Sequence, residues 1–128
     1  MAADKTALPR DRFGDTPQLQ DELAALVCSG RKTATCGAVN RDAPPVVGAL
    51  TLIEDSQGRP RCIIQTLGVE MARFREVGAD FARAEGEGDL SLEYWRAAHR
   101  AYFARNGGFH EDMMLWCETF RVIEVIAA

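Results

Sequence analysis

Val47-Gly48-Ala49-Leu50-Thr51-Leu52-Ile53 and Cys62-Ile63-Ile64-Gln65-Thr66-Leu67, joined by Asp55-Ser56-Gln57-Gly58-Arg59-Pro60, form the stretch that decides the fold. Two runs of β-formers on either side of a turn-rich link read as a β-hairpin. Upstream, Asn40 to Pro45 reads as a loop, because the Pro44-Pro45 pair cannot sit in a central strand. Before that loop the period changes. Leu19, Leu23, Leu26 and Val27 recur at i, i+4, i+7 and i+8, one apolar stripe of a helix. Asp15 or Thr16 caps it, Pro17 takes its first position, and Gly30 stops it.

Downstream, Ala79 to Ala84 reads as a short helix ended by the glycines of Glu85-Gly86-Glu87-Gly88-Asp89. Ser91 caps a stronger helix that runs to about Arg105, with Asn106-Gly107-Gly108 as its stop. Met113 to Ile126 reads as one long strand or two short ones. Helix, strands, helix, strand is an α+β order: a small sheet or barrel with helices beside it. With 128 residues, 47% of them hydrophobic, and no linker or repeat, the expectation is a single domain over residues 1–128.

The net charge of −4 argues against coating nucleic acid through bulk charge. No run approaches the length of a membrane span, and Met1 to Pro9 lacks the apolar core of a signal peptide. The four cysteines form no CxxC pair, so they read as apolar fillers in a reducing, cytoplasmic setting. No P-loop, dinucleotide fingerprint or GxSxG elbow is present. His110, Glu111 and Asp112 lack metal-ligand spacing, so neither a metal nor another cofactor is expected.

Two clusters carry chemistry. Gly30-Arg31-Lys32-Thr33-Ala34-Thr35-Cys36 sets a lysine and two hydroxyls where the first helix stops. On the plain reading this is a solvated lysine followed by a strand. On the functional one, a desolvated amine is neutral near pH 7 and accepts a hydroxyl proton. In a regular strand Lys32 and Thr35 would face opposite ways, so their cooperation requires the chain to bend between them. The second cluster, Glu85 to Asp89, is either a solvated loop capping the next helix or a bend that carries a carboxylate into a pocket. Trp95, Arg96 and His99 are either core or a base-binding wall.

Together with Phe13-Gly14-Asp15, Asp21-Glu22-Leu23 and Cys117-Glu118-Thr119-Phe120, these motifs make the chain resemble the ASCH-domain family from about residue 13 to 125. The resemblance implies a PUA-like fold, a small β-barrel with flanking helices, and a cleft associated with RNA. It also implies an amidohydrolase that removes the acyl group from N4-acylated cytidines without a metal. In that reading Thr35 is the nucleophile, Lys32 its base, and Glu87 or Glu85 the acid. Arg31, Thr33, Asp89, Trp95, Arg96 and His99 are the implied substrate contacts. The partner is then a small nucleoside and no membrane. The alternatives are a ribonuclease on single-stranded RNA and a non-catalytic RNA-binding module.

Overall fold

The computed structural model describes residues 7–127; residues 1–6, part of the stretch read as lacking a signal-peptide core, lie outside them. Its elements run β1 (Arg10–Asp11), α1 (Pro17–Cys28), β2 (Ala34–Ala38), β3 (Leu50–Glu54), β4 (Pro60–Arg73), a 3-10 turn (Phe74–Glu76), α2 (Ala79–Glu85), α3 (Leu92–Arg105) and β5 (Met114–Val125). The strands make one sheet in the order β1-β3-β4-β5-β2. Among the described residues only the β1–β3 pairing is parallel.

The expected hairpin is β3–β4. It begins at Leu50 rather than Val47, and β4 runs past Leu67 to Arg73. That extra length comes from β5, which pairs with β4 from Cys62 to Arg73 and is one strand rather than two. Two register shifts interrupt the pairing, one skipping Ile123 on β5 and the other Leu67 on β4. Both extra side chains are exposed, at the points where bulges bend and twist paired strands. β1 was not expected at all. Its two residues carry no period; pairing with Leu52 and Ile53 of β3 and the Arg10–Glu54 ion pair at 2.7 Å hold them in place.

Two apolar clusters flank the cleft described below. One holds Phe74, Trp95 and Phe103 against Leu115 and Ala38, under α2 and α3. The other packs Ala24 and Val27 of α1 against Ile53, Ile64 and Phe120. Among the described residues no helix is long and apolar enough to cross a membrane.

The helix ends follow their caps. The Thr16 hydroxyl accepts from the Leu19 N–H at 3.2 Å, and Ser91 accepts from Tyr94 at 3.0 Å. Each satisfies an amide that has no partner within the helix. Thr16→Ala should therefore cost about 1 kcal/mol, read as a lowered urea midpoint with an unchanged m-value.

Candidate active site

α1 ends at Cys28, and Gly30, at φ 82°, turns the chain back on itself. The Lys32 N–H then donates to the Leu26 carbonyl at 3.1 Å, before β2 begins at Ala34. Lys32 therefore lies two residues ahead of the strand and escapes its alternation. This is the bend that cooperation required: Lys32 and Thr35 line the same cleft.

The acidic loop is tied across this turn. The Arg31 guanidinium donates to the carbonyls of Gly86 (3.0 Å) and Gly88 (3.1 Å). The Thr33 amide and hydroxyl both donate to the Ala84 carbonyl, at 2.8 and 3.2 Å. Gly86 caps α2 at φ 74°, and a β-carbon there would strike the Arg31 carbonyl. Only glycine meets both demands, since the conformation is left-handed and the two backbones nearly touch.

The strapped loop sets both glutamates on Lys32. Its ammonium donates to Glu85 Oε1 at 2.8 Å and to Glu87 Oε2 at 3.0 Å. The side chains of Lys32 and Glu85 are each 1% exposed, whereas that of Glu87 is 16% exposed. The second Glu85 oxygen accepts from the Trp95 indole at 2.6 Å and faces His99 Nε2 at 3.3 Å. His99 Nδ1 lies 2.9 Å from the Trp95 carbonyl. A carbonyl only accepts, so Nδ1 carries a proton. The imidazole also stacks on the Trp95 ring, 4.3 Å between centroids.

Burial opposes charge on all three groups, yet in each the charged form is favoured by the others. For Lys32, the two carboxylates outweigh burial and raise the pKa. For Glu85, Lys32 and His99 outweigh burial and hold the carboxyl well below the usual carboxylate range. For His99, burial is likewise overcome by Glu85 and then Glu87, and its pKa rises. This corrects the expected neutral base: Lys32 rests as an ammonium and cannot take a proton until it has given one away. The Cys36 thiol, by contrast, is pushed well above its ordinary range by burial and by the neighbouring Glu85 charge.

The cleft has a volume of about 560 Å³ and lies between α1, α3 and β2. Lys32, Thr35, Glu85, Glu87 and His99 line it; Arg31, Thr33, Asp89, Trp95 and Arg96 do not. Trp95 is only 2% exposed and belongs to the core, so the base-wall reading of that residue is corrected. Arg96 donates to the Arg75 carbonyl at 3.4 Å, and Asp89 accepts from the Ser91 amide ahead of α3. Asp112 and Glu111 pair with Arg75 and Arg100. The wall residues missed from sequence include Phe13, Tyr94, Trp116, Asp42 and Glu118. Phe13 packs its ring 5.7 Å from the Lys32 ammonium, and Glu118 accepts from the Thr66 hydroxyl at 2.6 Å. Burial, and to a smaller extent the Asp11 charge, raise the Glu118 pKa against that hydrogen bond. Cys36, Glu85 and His99 bring three metal-capable atoms within 4.8 Å of one another.

The ASCH-domain profile matches residues 10–124. An ASCH-domain structure from Lactobacillus crispatus superposes with a TM-score of 0.86 at 34% identity, covering 93% of this chain and 81% of its own. A protein from Enterococcus faecalis gives 0.83 at 34% identity, covering 91% and 77%. The S128A variant of an ASCH protein from Zymomonas mobilis, at 14% identity, covers 94% and 72% and shares the fold with a TM-score of 0.61. No curated protein matches significantly. The fold is PUA-like.

The raised His99 pKa gives a signed expectation. A group whose pKa is higher in the folded state stabilises fully below its unfolded value of 6.5 and loses that contribution as pH rises through the folded value. Urea midpoints of the protein should thus fall from mildly acidic to mildly alkaline pH, and His99→Gln should flatten that slope. Lys32→Met, which strands two carboxylates, should cost about 3–5 kcal/mol in the same assay.

Proposed function

The chain belongs to the ASCH-domain family, which is linked to RNA-binding and hydrolase roles, and on that premise we propose an amidohydrolase acting on N4-acylated cytidines or cytosines. The observation that carries this reading is the buried Lys32 ammonium, held between Glu85 and Glu87 in a cleft that Thr35 also lines. A volume near 560 Å³ lies within the range of small-molecule sites.

The two glutamates divide the work by exposure. Glu85 is saturated by Lys32, Trp95 and His99, so it positions the lysine. Glu87 is open to the cleft and is the acid–base group. Lys32 passes a proton to the Glu87 carboxylate and takes the Thr35 hydroxyl proton. The Thr35 oxygen then bonds to the acyl carbon. The regenerated ammonium stands beside the developing oxyanion. Collapse breaks the C–N bond, and Glu87 returns its proton to the departing N4 amine. Water then attacks the Thr35 ester, releasing the carboxylic acid and freeing the hydroxyl.

The walls favour a neutral ligand over a polyphosphate strand. Asp11, Asp42, Glu87 and Glu118 line the cleft, while Arg12 and Arg105 are already paired with Glu54 and Asp15. A chain of phosphates would meet Asp11, Asp42 and Glu118 there, with the Lys32 ammonium already held by Glu85 and Glu87.

N4-acetylcytidine incubated with the protein should yield cytidine and acetate in equal amounts, read by chromatography. Thr35→Ala and Glu87→Gln should each lower kcat by about 10²-fold or more; Thr35→Ala should keep the parent Tm, whereas Glu87→Gln removes one counter-ion of the buried Lys32 and should lower it. A transient acetyl group on Thr35 should be visible by mass spectrometry. Full activity in folded Thr35→Ala would remove the nucleophile from this account. Cleavage of single-stranded RNA without nucleoside turnover would replace it with the ribonuclease.

A further inference from the structure

Three side chains from separate elements meet at one point of the cleft: Cys36 of β2, Glu85 at the end of α2 and His99 of α3. Their sulfur, carboxylate oxygen and imidazole nitrogen all lie within 4.8 Å of one another. Bonds of about 2.0–2.3 Å set the ligand atoms of a tetrahedral zinc ion roughly 3–4 Å apart. Closure around an ion therefore asks for side-chain movements on the order of 1 Å.

The surroundings orient two of these atoms, those of His99 and Glu85, for coordination. His99 donates its Nδ1 proton to the Trp95 carbonyl at 2.9 Å, which fixes the ring and aims Nε2 at Glu85. A backbone carbonyl on the far nitrogen is the usual support of a metal-bound histidine. The Glu85 oxygen facing His99 is oriented by the Trp95 indole at 2.6 Å. Lys32 holds the other Glu85 oxygen and has Glu87 as a second counter-ion at 3.0 Å, so a cation beside Glu85 does not leave the ammonium unpaired. All three ligands line the cleft, which supplies an entry path and an open fourth position.

We propose that Cys36, Glu85 and His99 form a binding site for one thiophilic divalent cation of the zinc class. The mixed sulfur, nitrogen and oxygen set favours zinc or cobalt over magnesium or calcium. Binding forms Sγ–metal, Nε2–metal and carboxylate–metal bonds. It releases the thiol proton, and any proton on Nε2, to solvent. The site shares Glu85 with the hydrolase reading but uses neither Thr35 nor Glu87; an ion there takes the place of the His99–Glu85 contact, while Lys32 and Trp95 keep theirs.

The test is titration of the full, metal-free chain with Co²⁺ under a non-chelating reductant. A thiolate-to-cobalt charge-transfer band should grow to saturation at one ion per chain and be bleached by Zn²⁺. Cys36→Ser should abolish the band and Cys28→Ser should keep it. His99→Gln should weaken binding about 10–100-fold. In the unmutated protein, Zn²⁺ should also protect Cys36 but not Cys28 from alkylation, mapped by mass spectrometry. That readout holds even where a variant does not fold. The inference is overturned by the absence of a thiolate band, by a band that survives Cys36→Ser, or by Cys36 alkylation that ignores zinc.

Discussion

A lysine ammonium that is 1% exposed is the constraint on which the site depends. An uncompensated charge at that depth would cost several kcal/mol, so its counter-ions must be close and fixed. Glu85 and Glu87 supply them, which makes the position of the acidic loop a condition of burying Lys32. The loop in turn depends on Arg31, Thr33 and the missing side chain of Gly86. Glu85 passes the constraint on to Trp95 and His99, so the polar pocket and the aromatic core hold each other in place.

The same network separates two residues that look alike in sequence. Glu85 and Glu87 are two positions apart in an acidic, glycine-rich loop. One has its carboxylate oxygens occupied by a lysine, an indole and an imidazole; the other remains partly open to the cleft. A saturated carboxylate holds its neighbours in position, and an open one can exchange protons with a ligand. The ionised state of Lys32 follows from the same pairing, which is why a proton relay through Glu87 replaces the simpler picture of a neutral lysine base.

Much of the scaffold could be read from residue patterns, because those patterns act locally. Thr16, Pro17, Gly30 and Ser91 bound their helices as expected, and the β3–β4 hairpin lies on its turn-rich link. What escaped was whatever depends on distant partners. β1 is a strand only because β3 lies beside it, and the bulges at Leu67 and Ile123 reflect the fit of β4 to β5. Trp95 reads equally well as a ligand wall or as core, since periodicity places a residue on a face without saying what covers that face. Arg96 is drawn off to the Arg75 carbonyl for a similar reason.

Sequence alone determined the α+β order, the helix limits and the two clusters in which the chemistry lies, through caps, periods and turn residues that act within a few positions. The tertiary structure decided that Lys32 precedes β2 and so shares a cleft with Thr35, that Lys32 is charged, and which glutamate is open. The last two outcomes are set by burial and by groups some fifty residues apart in the chain, from Lys32 to Glu85. Dielectric environment and through-space charge leave no mark on local sequence. They exist only once the chain has closed on itself.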